Sequence, residues 1–223
     1  MLFEGLRDRI ADVGERMDAA AARAGRKAED VKLIAVTKVF PVDAILEGYA
    51  AGLRDFGENY VQEFEGKAPR VTDLEGARFH LIGHLQSNKS KKAAELFQVI
   101  HTVDSAKLAR RLDDAASPLE VYVEVKLSHE ETKSGADPAE IAGIVEAARE
   151  AKNLRLVGLM TVPPWSEDAE ASRPYFAKLR EMAEKFGLAE LSMGMSNDME
   201  VAIEEGATSV RVGTALFGRR MKA

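Results

Sequence analysis

Lys38 stands two residues beyond Val31–Val36 (VKLIAV), where five residues of six are apolar. Such a run reads as a strand buried on both faces, so the lysine emerges from it into a partly desolvated place. Burial disfavours the ammonium form, and the unprotonated amine is what attacks an aldehyde to form an imine. Taken alone, a lysine that merely snorkels from a strand end is the commoner case. Other polar groups gather at corresponding places. In Gly194–Glu200 (GMSNDME), Asn197 and Glu200 have the spacing of a capping box. If Asn197 caps the helix, the Ser196 hydroxyl and the first helical N–H groups are left to face an anion. In Ser209–Gly218 (SVRVGTALFG), Gly213 lets the backbone approach a ligand closely and Thr214 offers a hydroxyl. Arg211 alternates with Val210 and Val212 and so points away from them. Buried there, a guanidinium needs either an acidic neighbour or a ligand.

Gly57–Glu63 (GENYVQE) places Asn59 as the N-cap of a helix, a role that needs no ligand. Lys126 and Lys133-Ser134-Gly135 form a basic loop on the same side, and Met160 and Met195 read as packing residues. His80, His84, His101 and His129 lack the i, i+4 pairing of a helical metal motif, so no metal is expected.

These residues must be positioned by the alternating elements around them. Eight β-branched runs read as strands: Val31–Val36, Arg54–Phe56, Arg78–Ile82, Val99–Val103, Leu119–Val125, Leu154–Met160, Glu190–Met193 and Ser209–Val212. Between them lie helical patterns at Val42–Ala51, Asn59–Lys67, Ser90–Leu96, Ala106–Ala116, Pro138–Lys152, Glu167–Phe186 and Asp198–Glu205. Every crossover is long enough for parallel pairing. The expected fold is α/β, a single (β/α)8 TIM-type barrel over residues 1–223 with an extra N-terminal helix, on which Leu6, Ile10, Val13 and Met17 share a face. A doubly wound open sheet is the alternative, but no G-x-G-x-x-G follows the first strand and there is no P-loop. In such a barrel, binding residues collect on the loops after the strands, which is where Lys38, Asn59, Ser196, Gly213 and Thr214 fall.

Composition narrows the partners. Against 31 Lys+Arg stand 37 Asp+Glu, a formal net charge of -6, and no basic stripe interleaves with aromatics, so nucleic acid is not an expected partner. No stretch approaches the ~18 apolar residues of a membrane span. With no cysteine, disulfides, thiolate zinc sites and a cysteine nucleophile are excluded. The N-terminus has no basic segment followed by an apolar one, so the cytoplasm is the expected compartment.

Five segments in this order, AVTK (35–38), FGENYVQE (56–63), HLIGHLQSNK (80–89), LSMGMSNDME (191–200) and VRVGTALFG (210–218), closely resemble the YggS/PROSC family of pyridoxal-phosphate-binding homeostasis proteins. The resemblance spans nearly the whole chain. It implies a barrel like the N-terminal domain of alanine racemases, with pyridoxal 5′-phosphate held as a Schiff base on Lys38. It also implies phosphate contacts from Ser196, Gly213 and Thr214, Arg211 beside the pyridine nitrogen, Asn59 near the ring, and Met160 and Met195 packing close by. His84 departs from the family pattern and is given no ligand role. A permanently charged donor at the ring nitrogen discourages its protonation, which weakens the ring as an electron sink. The resemblance thus implies a role in intracellular vitamin B6 homeostasis without significant catalysis, by a monomer that meets apo-enzymes transiently. A weak pyridoxal-phosphate-dependent racemase is the alternative; the end of the chain at Ala223 leaves no room for the C-terminal domain that supplies the second acid/base group in alanine racemases. A cofactor-free Schiff-base aldolase is a third class, since a barrel lysine and a phosphate grip would serve it equally.

Overall fold

The computed structural model describes residues 2–115, 118–128, 130 and 133–218; His129 and the expected helix end at Ala116 lie outside them. The chain opens with helix α1 (Leu6–Arg23), whose Leu6, Val13, Met17, Ala20 and Ala21 are buried. Eight strands follow: β1 (Lys32–Val36), β2 (Asp55–Glu58), β3 (Arg78–Leu81), β4 (Val99–Val103), β5 (Leu119–Glu124), β6 (Leu154–Met160), β7 (Glu190–Met195) and β8 (Ser209–Val212). They close into a barrel in sequence order, and β8 returns to pair with β1. All the pairings are parallel.

Helices α2 (Asp43–Ala50), α3 (Val61–Lys67), α4 (Ser90–Leu96), α5 (Ala106–Asp113), α6 (Ile141–Glu150), α7 (Arg173–Lys185) and α8 (Met199–Glu204) make the crossovers, and a short α9 (Thr214–Phe217) follows β8. The expected (β/α)8 barrel with an added N-terminal helix is the observed fold. One large apolar cluster lies between strands and helices, including the rings of Phe56, Phe64, Phe79 and Phe97. Inside the barrel, Val99, Tyr122 and Met160 form a small cluster of their own. Polar side chains share that interior, with His80, His101, Ser192 and Arg211 all buried, in a fold whose centre is ordinarily filled by branched aliphatic residues.

Two helix starts differ from expectation. Tyr60, not Asn59, occupies the cap position of α3. At α8 the cap is Asp198, not Asn197. The Asp198 carboxylate accepts the Met195 N–H at 2.7 Å and the Ser172 hydroxyl at 2.8 Å, and hydrogen bonds to a charged acceptor are stronger than those an amide oxygen offers. Asn197 turns outward and donates to the Ser166 carbonyl. Glu200, the other half of the expected box, instead pairs with Arg16 of α1 at 2.6 Å.

Candidate functional site

Lys38 sits in a turn immediately after β1, half-buried, at the C-terminal mouth of the barrel. The residues on either side of it are fixed by a charged network. Thr37 donates its hydroxyl to Glu58 Oε1 at 2.7 Å, and the Val39 N–H donates to Glu63 Oε1 at 2.6 Å. Lys67 joins the pieces: its ammonium donates to the Thr37 carbonyl at 3.0 Å, Glu58 at 2.8 Å and Glu63 at 2.6 Å. Those three bonds use the full donor capacity of an ammonium. Glu58 is fully buried and Lys67 nearly so. Burial pushes the Glu58 carboxyl above the usual range, opposed by Lys67 and the Thr37 hydroxyl. The turn is also strained. Val39 has φ 59°, the sole positive-φ residue other than glycine among those described, and a β-branched residue adopts that conformation at a cost.

On the other side of β1, the ends of β8 and β7 bring four more of the expected residues together: Arg211, Gly213, Thr214 and Ser196. Arg211 is buried inside the barrel, donating from Nη1 to Ser192 Oγ at 2.6 Å and from Nη2 to the Thr161 carbonyl at 2.9 Å. No carboxylate among the described residues lies within ion-pair distance of it. Burial lowers its pKa to about 10, which still leaves it charged at neutral pH. Gly213 follows β8 beside the end of β1; a Cβ there would lie 3.3 Å from Val36 Cβ, so the missing side chain lets the two chain segments meet. Thr214 opens α9 and is exposed. Ser196 Oγ accepts the Ala215 N–H at 3.3 Å, which ties the β7 loop to the start of α9. The added helix α1 supports the same loop, because Arg16 donates to the Ser196 carbonyl at 3.1 Å.

The other expected residues are spread around the mouth. Met195, half-buried, closes β7. Met160 is buried within the barrel against Val99 and Tyr122. Asn59 follows β2 and lines a groove with Tyr60, Gly83, His84, Gln86 and Lys89. Gly83 is required there, since a Cβ would fall 2.4 Å from the Asn59 carbonyl. His84 is 3.4 Å from Asp104. Lys133 donates to the Pro163 carbonyl at 3.3 Å, bridging the loops after β5 and β6. No candidate metal cluster exists among the described residues.

Sequence reasoning missed three groups. Glu58, Glu63 and Lys67 were visible only as a polar strand end and an i, i+4 pair. Glu124, the last residue of β5, is buried with one carboxyl oxygen lacking a hydrogen-bond partner. Burial, with Asp104 nearby, pushes its pKa up to about 7, while Arg211 and Lys133 pull the other way. The third group is the pair of interior histidines, His80 and His101.

Residues 14–221 match the family model described as alanine racemase, N-terminal domain. The chain is 47% identical over 219 residues to a pyridoxal phosphate homeostasis protein of Pseudomonas aeruginosa, covering 96% of this chain and 95% of that one. A protein of the same description from Escherichia coli is 43% identical over 225 residues, with 95% of each chain covered. Among solved structures, PipY of Synechococcus elongatus with PLP bound superposes with a TM-score of 0.84 at 40% identity, covering 96% of this chain and 100% of that one. An alanine racemase of Clostridium difficile shares the fold at a TM-score of 0.76 and 14% identity, over 97% of this chain and 57% of its own. The chain therefore belongs to the YggS/PROSC family of pyridoxal phosphate homeostasis proteins, built on the alanine racemase N-terminal barrel.

Proposed function

We propose that this protein binds pyridoxal 5′-phosphate through Lys38 and acts in intracellular vitamin B6 homeostasis as a single-domain carrier without significant catalysis. The observation that carries the reading is a juxtaposition. Lys38, Ser196 and Gly213-Thr214 follow the ends of three neighbouring strands, β1, β7 and β8, above a buried arginine with no carboxylate of the described residues at ion-pair distance. The donor set fits the cofactor's three recognisable parts: an aldehyde, a phosphate and a ring nitrogen. Relatives described as homeostasis proteins and a related structure with PLP bound support it further.

When bound, the cofactor supplies an aldehyde that condenses reversibly with an amine, releasing water, and a pyridine ring that draws electrons. Lys38 provides the amine. Ser196, Gly213 and Thr214 hold the phosphate, Asn59 lies at the ring, and Met160 and Met195 pack beside it. Arg211 would face the ring nitrogen and, being charged, would keep a proton off it, which would handicap carbanion chemistry. We further propose a cytoplasmic monomer that hands the cofactor transiently to apo-enzymes. Among the described residues no helix is long and apolar enough to cross a membrane.

The purified protein incubated with pyridoxal phosphate is expected to turn yellow, with a visible band that borohydride bleaches, and Lys38→Ala is expected to stay colourless. A wild type that remains colourless refutes the reading and leaves the cofactor-free aldolase standing. Faster activation of an apo-enzyme by the loaded protein than by free cofactor is the outcome expected of a carrier. One observation favours a second reading, a weak racemase: Glu124 is buried at the same mouth with a carboxyl oxygen lacking a hydrogen-bond partner, and burial pushes its pKa up to about 7, which suits an acid/base group. Amino-acid racemisation abolished by both Lys38→Ala and Glu124→Gln would establish it over the carrier.

A further inference from the structure

A line of polar side chains runs through the barrel interior to Ser192, the residue that holds Arg211. Asp55 begins β2, at the end opposite the mouth, and its Oδ1 lies 2.8 Å from His80 Nε2. His80 Nδ1 is 3.0 Å from His101 Nε2. His101 Nδ1 is 2.8 Å from Ser192 Oγ, the atom that also receives Arg211 Nη1 at 2.6 Å. His80, His101, Ser192 and Arg211 are all buried. Tyr122 stacks on the His101 ring, with centroids 4.3 Å apart and planes at 11°.

The two ends settle where every proton lies. A guanidinium only donates, so Ser192 Oγ accepts from Arg211; with both imidazoles neutral, a carboxylate that accepts from His80 Nε2 at the other end leaves His101 Nδ1 to accept the serine's hydroxyl proton. His101 must then carry its proton on Nε2 and donate it to His80 Nδ1. His80 in turn carries its proton on Nε2, where a carboxylate, an acceptor when ionised, receives it. Every donor along the line meets an acceptor, with both imidazoles neutral and no proton missing or added. Burial depresses both imidazoles, His101 the more strongly; at His80 the Asp55 carboxylate pulls the other way, while at His101 the positive charges of Arg211, Lys32 and Arg78 act with burial.

We propose that Ser192, His101, His80 and Asp55 are positioning residues for Arg211, forming a one-way hydrogen-bond relay from the guanidinium at the mouth to a carboxylate at the far end of the barrel. A carboxylate set directly against Arg211 would take two of its donors in a fork and cancel its charge. The relay instead holds Nη1 through a neutral hydroxyl, while the Thr161 carbonyl holds Nη2. The plane of the group is thereby fixed and its remaining three N–H bonds, with no partner among the described residues, stay available to a ligand. That consequence rests on the proposed cofactor reading; the relay itself does not.

The two are separable by experiment. In the cofactor-free wild type, 15N NMR of the imidazoles is expected to show His80 and His101 neutral and protonated on Nε2 at neutral pH. An Nδ1–H tautomer at either ring, or an imidazolium, overturns the relay whatever the protein binds. In the second arm, Ser192→Ala and His101→Phe are expected to weaken pyridoxal phosphate binding about tenfold and to shift the visible band of the bound cofactor. Ser192→Thr, which keeps the hydroxyl, is expected to restore both. If Ser192→Ala binds and absorbs like the wild type, the positioning role is refuted. A wild type that takes up no cofactor refutes the proposed function, and the imidazole tautomers still decide the relay.

Discussion

Two basic residues at the mouth of the barrel, Lys38 and Arg211, are supported by opposite means. Around Lys38 the support is ionic: one ammonium between two carboxylates, with bonds to Thr37 and Val39 on either side of the lysine. Beneath Arg211 it is a chain of neutral groups that grips the guanidinium itself. On the proposed function, the difference follows from what each residue has to do. A lysine that takes up an aldehyde and releases it needs its backbone held. An arginine that only faces a ring needs its head held and its charge left intact, which an adjacent carboxylate would cancel. Charge is therefore concentrated where it can be paired and kept away from where it is wanted unpaired.

The comparison is most easily broken from the ionic side. Lys67→Met leaves Glu58 buried without its cation, and removing one partner of a buried pair costs about 3–5 kcal/mol. Urea unfolding is expected to show a loss of that size. A loss below about 1 kcal/mol, the range of surface pairs, would mean that the network is incidental.

Glu124 stands on the Arg211 side without reaching it, and its raised pKa makes a prediction about pH. A carboxyl that binds its proton more tightly folded than unfolded stabilises fully below its unfolded value of 4.5, and that contribution is lost as pH rises through about 7. At about 1.4 kcal/mol per unit, the wild type is expected to lose about 3 kcal/mol across this window relative to Glu124→Gln. Parallel pH–stability curves for the two proteins would show that the buried carboxyl does not titrate there.

The neutral side is expected to be cheaper to cut. His101→Phe keeps a ring against Tyr122 and removes two hydrogen bonds, leaving uncharged groups unpaired, for about 1–3 kcal/mol. A cost equal to that of Lys67→Met would erase the contrast between the two supports.

Much of this architecture is legible in the sequence, and the exceptions share a cause. The runs Val99–Val103, Leu154–Met160 and Ser209–Val212 are strands with the boundaries their composition predicts, because β-branched apolar runs between turn residues are local signals. The cap at α8 was misassigned because Asp198 is held by Ser172, a partner 26 positions away. The relay escaped for the same reason on a larger scale. His80 and His101 each interrupt an apolar strand, in RFHLI and VIHTV, and that interruption is the one local hint. Their meeting depends on the register of β3 and β4 and on residues from β7 and β8 across the barrel. Nor does spacing alone show that Glu58, outside the helix that carries Glu63 and Lys67, shares their network.

The smallest effect tests whether the ionic clamp aims Lys38 or merely stabilises the fold. Val39 is exposed yet holds φ 59°, a conformation that costs a non-glycine residue about 1–3 kcal/mol and persists only where the surroundings impose it. Asparagine tolerates the left-handed region far better than valine. Val39→Asn is therefore expected to raise stability by about 1 kcal/mol and to leave the Glu63 hydrogen bond, which is made by the backbone, in place. If strain in the turn helps direct Lys38, the same substitution weakens cofactor uptake several-fold while the protein becomes harder to unfold. Stability and uptake moving in opposite directions cannot arise from general loosening of the structure. A more stable variant that takes up pyridoxal phosphate as the wild type does would show that the clamp, not the strain, sets the direction of Lys38.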